Sequence, residues 1–292
     1  MKPYNPAANP QLPAHKNRAS CGCCLLIVVI IAGIVGLISA VYFFAPGRTN
    51  IAFLGLDYAD PSNSVARTDT LMISTFMPSK PYVGMLSIPR DLWVNVPGVG
   101  ENRINTAHFF AEAAQPGSGP SATLDTIEQN FGVDVPYFMR LKFDGFKDVF
   151  NVLGGVDIVL PQPMAGYEAG SHHLTPNKAL AFARSRTNSD DFFRMQQGQL
   201  VLKSALKQML LPKNWLKIPA VASALMRSID TNVPKVLWPR LGLALIRVGA
   251  AGIDNRIITR EMVTPFTTNQ GASVLAPNWN LINPVLLEMF GQ

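Results

Sequence analysis

The sequence predicts an α/β protein: a three-layer α-β-α domain with a central mixed sheet, preceded by one transmembrane helix. Two patterns predict it. Residues 21–44 carry no charged side chain, and beyond them short apolar runs bounded by turn residues alternate with segments of helical period. Apolar residues make up 48% of the 292 and charged residues 15%, which allows a substantial core and excludes a disordered or collagenous chain.

Residues 1–20 are rich in Pro, Asn and Ala, hold Lys2, Lys16 and Arg18, and show neither strand nor helix period. They read as a disordered tail. At 1.5 Å per residue, a helix over residues 21–44 spans the ~30 Å bilayer core, and the run exceeds the roughly 7–15 residues of a signal-peptide core. A retained anchor is therefore expected. The basic flank lies before the run, so the positive-inside rule puts the amino terminus in the cytoplasm and the rest of the chain outside. Cys21, Cys23 and Cys24 all sit at the start of this run, which leaves the main domain no disulfide framework. A lipidated cysteine would follow the apolar stretch rather than precede it.

After a linker over residues 45–49, the domain is expected to fill residues 50–292. Residues 50–56, 70–76 and 82–88 read as buried strands. Ser121 is a plausible cap for a helix ending at Phe131, with Gly132 as its stop. Residues 137–143 read as a strand, Asp144 opens a helix to Leu153, Gly154-Gly155 ends it, and residues 156–160 form a further strand. Thr175-Pro176 places a cap and a proline at the start of a short helix. Ser189-Asp190-Asp191 opens a longer one, with Leu202, Leu206, Met209 and Leu210 facing the core. Residues 212–292 contain helical stretches such as 236–248 and no second motif, so they read as a peripheral part of the same domain.

A net charge of +6 favours anionic partners. Lys and Arg do not gather into a basic tail or run, which speaks against nucleic acid and leaves anionic lipid or phosphorylated substrates. Instead, charges collect at element ends. Asp57 follows the first strand, Arg67 and Asp69 precede the second, and Arg90 and Asp91 follow the third, where α/β proteins place ligands. Asp57 and Asp69 suit Mg²⁺, which prefers a few hard oxygens and keeps water or phosphate for the rest. Arg67, Arg90, Arg184, Arg186 and Arg194 suit a pyrophosphate, because a guanidinium forms fixed, bidentate bonds to its oxygens. The same residues equally fit surface caps, ion pairs or a solvated basic face. Adjacent His172 and His173 project differently and have no Cys or His partner at metal-binding spacing.

The order and spacing of these pieces resemble one family. Gly-x-Asp at Asp57 is followed by Arg-x-Asp-Thr from Arg67 and by Ser-Ile-Pro-Arg-Asp at Ser87 to Asp91. His-x-Leu-x-x-x-x-Ala-Leu-x-x-x-Arg-x-Arg then runs to Arg184 and Arg186, and Asp-x-x-Arg joins Asp191 to Arg194. Over residues 50–210 this resembles the LytR-CpsA-Psr family, as does the single amino-terminal anchor. The resemblance implies that Asp57 and Asp69 hold Mg²⁺, that the five arginines bind pyrophosphate with Asp191 beside them, and that an apolar tunnel takes a polyprenyl chain. The candidate catalytic residues are Arg90, with Asp91 or Asp69 as an aid to deprotonation and the choice between them open, and Asn105, Thr106 and His108 resemble the family's polar segment after the third strand, in a supporting place.

The implied activity is transfer of a polyprenyl-pyrophosphate-linked glycopolymer to peptidoglycan at the bacterial cell membrane, with release of polyprenyl phosphate. A polyprenyl-pyrophosphate hydrolase and a non-catalytic lipid-binding or regulatory protein, including a transcriptional attenuator, stay open as alternatives. Where the family continues as Arg-x-x-Arg-Gln-Gln, this chain reads Arg194-Met195-Gln196-Gln197-Gly198-Gln199. The phosphate-contacting glutamine falls at Gly198. On a helix Gln197 shares the face of Arg194 and is the expected substitute, whereas Gln199 points about 140° away.

Overall fold

The computed structural model describes residues 20–56, 65–185 and 191–291. It divides into two units, Met1–Ala45 and Pro46–Gln292. The first contributes helix α1 (Ser20–Phe44), which among the described residues is the one helix long and apolar enough to cross a membrane. Its side chains over residues 25–40 are exposed to their surroundings, the opposite of a soluble core helix.

In the second unit the chain runs through β1 (Thr49–Leu56), β2 (Thr68–Met77), β3 (Tyr82–Ile88), β4 (Trp93–Val96), β5 (Gly100–Arg103), α2 (Thr106–Ala114) and α3 (Gly119–Phe131). It continues through β6 (Tyr137–Lys142), α4 (Phe143–Leu153), β7 (Val156–Leu160), β8 (Gly170–Leu174), α5 (Pro176–Arg184), α6 (Asp191–Leu210) and α7 (Ile218–Ser228). The last elements are β9 (Ile229–Thr231), α8 (Trp238–Val248), β10 (Asp254–Ile257), β11 (Val263–Thr267), β12 (Ser273–Pro277) and α9 (Trp279–Phe290).

The central sheet has the order β10-β3-β2-β1-β6-β9. β1 pairs parallel with β6 and β3 parallel with β10, while β2 lies antiparallel to both β1 and β3, and β9 antiparallel to β6. Four strands therefore point their carboxyl ends the same way. Strand alternation sends Leu54, Leu71, Ile73, Leu86 and Ile88 to one face, under α3 and α9, and Ile51, Met72, Val83 and Met85 to the other, under α6 and α8. This is the expected three-layer α-β-α arrangement. A third core of Phe150, Phe182, Val201 and Val221 packs α4, α5 and α7 with the β7-β8 hairpin against the far side of α6.

Four local readings shift. Residues 156–160 are a strand, but β7 pairs only with β8, outside the central sheet. Helix α3 begins at Gly119 with Pro120 in its first turn, two residues before Ser121, and ends at Gly132 in the left-handed region at φ 67°. Helix α6 has two apolar faces: Leu202 and Leu206 pack toward the sheet, while Val201, Ala205 and Met209 join the third core. A helix wedged between two cores cannot show the single stripe that marks an amphipathic helix. The tail is not peripheral either. β10 is a strand of the central sheet, and α9 seals one face with Ile282, Leu286, Met289 and Phe290, each at most 2% exposed.

Candidate functional site

The carboxyl ends of β1, β6, β3 and β10 define one end of the sheet, and the amino end of β2 joins them there. β1 reaches it through a bulge at Gly55/Leu56. Gly55 lies against Thr70 so closely that a Cβ would stand 2.9 Å from the Thr70 Cβ. Only glycine lets the two strands approach at this point, which is why the Leu-Gly-Leu-Asp segment needs it. Leu56 then pairs with Thr68, so the chain leaves β1 beside the start of β2.

Asp69 and Arg90 meet here with Oδ1 and Nη1 2.7 Å apart, both side chains about one-quarter exposed. The Arg90 Nε lies 3.4 Å from an Asp91 oxygen, and the other Asp91 oxygen lies 3.1 Å from the Arg103 Nε. That last contact is an ion pair without hydrogen-bond alignment, since among the described residues the Arg103 Nε has no hydrogen-bond partner. The result is an alternating row of carboxylates and guanidiniums, Asp69-Arg90-Asp91-Arg103, which holds the Arg90 side chain from two sides. The Asp91 carbonyl accepts from the Leu275 amide at 3.0 Å and Arg103 donates to the Ser273 carbonyl at 2.8 Å, so β12 braces the row. Arg103 was not singled out from the sequence; its signal is its place two residues before Asn105, in the polar stretch that follows Ser-Ile-Pro-Arg-Asp.

Arg67 is exposed, with its guanidinium 5.4 Å from the centre of the Phe109 ring. Arg184 is exposed at the end of α5, Arg194 is half-buried near the start of α6, and Asp191 opens that helix. Asp57 and Arg186 lie outside the described residues. Asp69, Arg90 and Asp91 are thus brought into direct contact, while Arg67 is placed on the segment leading into Asp69. An open cleft of 270 Å³ lies between the first turns of α6 and the chain after β10, lined by Phe192, Phe193, Gln196, Thr259 and Arg260 among others. β10 enters this end beside β3, because Ile257 pairs with Ser87 and the Ile258 amide donates to the Ser87 carbonyl at 3.0 Å.

Among the described residues no group of three His, Cys, Asp or Glu side chains forms a metal cage. Asp69 supplies a hard carboxylate at the site, which suits in kind an ion that takes one or two carboxylates and fills its shell with water and phosphate oxygens.

The two glutamines of α6 differ sharply. Gln199 is buried, and its amide donates to the Ser87 hydroxyl and to the Arg256 carbonyl, each at 2.9 Å. It points off the Arg194 face, as the helical period requires, and ties α6 to β3 and β10 three residues before Arg90. Gln197 is only 1% exposed, and its Oε1 has no partner among the described residues. An orphaned buried oxygen costs about 1–3 kcal/mol. Gln197→Leu is therefore expected to stabilise the fold by about 1 kcal/mol, and Gln199→Leu to destabilise it by about 1–3 kcal/mol because it strands the Ser87 hydroxyl and the Arg256 carbonyl. Denaturant unfolding of the two variants checks this; equal effects would contradict it.

Beside Arg67 lies a buried polar network. Arg140, on β6, places Nη1 3.2 Å from the Glu112 carboxylate and 3.3 Å from the His108 Nε2, and Nη2 2.5 Å from Asp230. The His108 Nδ1 bonds the Ala66 carbonyl at 2.9 Å. Glu112 accepts from the amides of Gly117 and Gly119, both at 3.0 Å. A Cβ on Gly119 would stand 2.7 Å from both the Glu112 Oε2 and the His108 Nε2, so the network closes only over glycine.

Burial pushes the His108 imidazole below its ordinary value, against the pull of the Ala66 carbonyl. Burial also acts to raise the Glu112 carboxyl, but the two glycine amides and the Arg140 guanidinium outweigh it and hold Glu112 below its ordinary value. Both shifts weaken the fold on acidification. The unfolded chain takes up the His108 proton near pH 6.5, before the native state does, so that contribution is complete above about 6.5 and drains away toward the lower folded value. The Glu112 contribution is complete above about 4.5 and is lost as pH falls through its lower folded value. Melting temperature is expected to fall from pH 7 to 5, and His108→Asn to flatten that first phase while sparing the second. A wild-type profile flat over that range would contradict the assignment.

In comparison with known proteins, residues 43–282 match the LytR_cpsA_psr family. Regulatory protein MsrR of Staphylococcus aureus is 29% identical over 243 residues, 80% of this chain and 72% of MsrR. The polyisoprenyl-teichoic acid–peptidoglycan teichoic acid transferase TagV of Bacillus subtilis is 28% identical over 200 residues, 63% of this chain and 49% of TagV. The crystal structure of B. subtilis TagV superposes with a TM-score of 0.67 at 27% identity, over 84% of this chain and 98% of that one.

Proposed function

The chain belongs to the LytR_cpsA_psr family, and on that premise we propose that it transfers a glycopolymer from polyprenyl pyrophosphate to peptidoglycan. The observation that carries this reading is the Asp69-Arg90-Asp91 row at the carboxyl ends of four parallel strands, where an α/β sheet receives its ligand. The transferase name of TagV supports the same direction.

In this reading Arg90 and Arg67, with Arg184, Arg186 and Arg194 from the α5–α6 region, neutralise the pyrophosphate. Asp91 and Asp69 hold Arg90 in place for it. Asp57 and Asp69 would hold Mg²⁺, which when bound offsets further charge on the pyrophosphate. A hydroxyl oxygen of peptidoglycan attacks the glycan-side phosphorus, and the bond from that phosphorus to the bridging oxygen breaks. Polyprenyl phosphate leaves with the bridging oxygen, the hydroxyl proton passes to solvent, and a phosphodiester joins glycan to wall. Positioning and charge stabilisation supply most of such a rate. Helix α1 anchors the domain at the membrane that carries the lipid-linked donor, and the Lys2, Lys16 and Arg18 flank supports an extracytoplasmic domain.

The name of MsrR favours a second reading, a regulatory or lipid-binding protein without turnover. The chain at Gly198 bears on the choice. A Cβ there would meet nothing within 4 Å, so the backbone at Gly198 accepts a side chain, and Gly198→Gln is expected to gain about 0.5–1 kcal/mol of helix propensity. If the position contacts phosphate, that variant should also raise turnover about tenfold, the worth of one charge-assisted hydrogen bond. The test of the reading is release of polyprenyl phosphate from a synthetic lipid-linked glycan by the full chain in detergent, with and without a wall-fragment acceptor. Acceptor-dependent release identifies the transferase, acceptor-independent release a hydrolase, and binding without release the second reading.

A further inference from the structure

The segment that delivers Arg67 and Asp69 to the site is held from behind by one short helix. α2 meets Ala66 and Arg67 through two successive side chains. The His108 ring bonds the Ala66 carbonyl at 2.9 Å, and the next residue, Phe109, lies under the Arg67 guanidinium at 5.4 Å. A carbonyl can only accept, so the His108 Nδ1 must carry the proton. A guanidinium can only donate, so the Nε2 facing the Arg140 Nη1 at 3.3 Å must carry the lone pair. One tautomer of a neutral ring satisfies both neighbours, and His108 is fully buried between them.

Arg140 is in turn fixed by Glu112 at 3.2 Å and Asp230 at 2.5 Å, on two different elements, and Glu112 by the amides of Gly117 and Gly119. The chain of constraint runs from the sheet, through Arg140, to the imidazole and on to the backbone just before Arg67. Asp230 is half exposed, but on the inner side His108 and Glu112 are buried, and there an alternative geometry would leave a charge or a donor unpaired.

We propose that His108 and Phe109 are positioning residues for the phosphate site: α2 clamps Ala66 and Arg67 so that the Arg67 guanidinium is presented to the pyrophosphate. The clamp rests on the pyrophosphate reading given above. Arg67 is exposed and long, and without a surface to lie on it would lose rotamer freedom at each binding event. The ring under it and the fixed carbonyl before it make that loss in advance.

The test uses the full chain in detergent, Mg²⁺, and geranylgeranyl pyrophosphate as the probe, with affinity read by calorimetry. Phe109→Leu, which removes the ring beneath Arg67, is expected to weaken binding by about threefold to tenfold. His108→Leu is expected to weaken it by about tenfold, and His108→Asn, whose amide can donate where Nδ1 does, to recover most of that. Acting through Arg67, neither Phe109→Leu nor His108→Leu should weaken binding further in an Arg67→Ala background.

Losses that multiply with that of Arg67→Ala would overturn the clamp while leaving the pyrophosphate reading intact. Wild-type protein that fails to bind the probe would remove that reading and the clamp with it. If His108→Leu does not fold, the Phe109 and Arg67 cycle decides alone.

Discussion

Replacing Arg90 with alanine is expected to lower transfer from a polyprenyl-pyrophosphate-linked donor by about 10²- to 10³-fold, the usual cost of removing one fixed donor from developing negative charge. Arg90 is the residue on which the site converges: Asp69 holds its Nη1 at 2.7 Å, and Asp91 stands 3.4 Å from its Nε. Such a guanidinium reaches the transition state with little reorganisation left to do. Arg90→Lys keeps the charge but loses the planar fork, so it should recover only part of the rate.

The fold should hardly notice either change. The pair with Asp69 is about one-quarter exposed, and partly exposed ion pairs contribute on the order of 0–1 kcal/mol. Steady-state kinetics with both substrates varied, beside a melting curve, separates the two effects. A loss under tenfold in kcat/KM with an unchanged melting temperature would remove Arg90 from the machinery.

The second large effect is on stability. Arg140→Ala should cost about 3–5 kcal/mol, because it leaves the Glu112 carboxylate, 5% exposed, facing a site from which its counter-charge has gone. For a domain of this size each kcal/mol shifts the melting temperature by roughly 2–4 °C, so a fall of about 6–20 °C is expected. Glu112→Gln in the same chain should return a good part of it, since a neutral amide needs no counter-ion. The exposed His173-Asp157 pair, 2.6 Å apart with both side chains more than half exposed, is the natural contrast. His173→Ala there should cost under about 1 kcal/mol. Equal losses at the two pairs, read by calorimetry, would show that burial is not what gives Arg140 its weight.

Much of this protein is legible in the chain itself. The strands at residues 50–56, 70–76 and 82–88, the glycine stop of α3, the Thr175-Pro176 start of α5 and the membrane-length run all follow from period, charge and turn chemistry. Each of those signals acts over a handful of neighbouring residues, so the chain carries it locally. The family was legible for a related reason: Ser-Ile-Pro-Arg-Asp and its companions keep their order and spacing in the chain itself.

Partnership was not legible. Nothing in Val156-Asp157-Ile158 says that β7 will pair with β8 in a separate hairpin, and nothing in Asp254-Asn255-Arg256 says that this strand will complete the central sheet beside β3. Arg103 and Gln199 escaped for the same reason, since one takes its role from Asp91 in the turn after β3 and the other from Ser87 and Arg256. Local preference fixed the kinds of element and the residues offered at their ends. Only the tertiary structure decided which ends meet, because contacts between residues far apart in the chain form when whole faces are buried together, and no short stretch of sequence contains that choice.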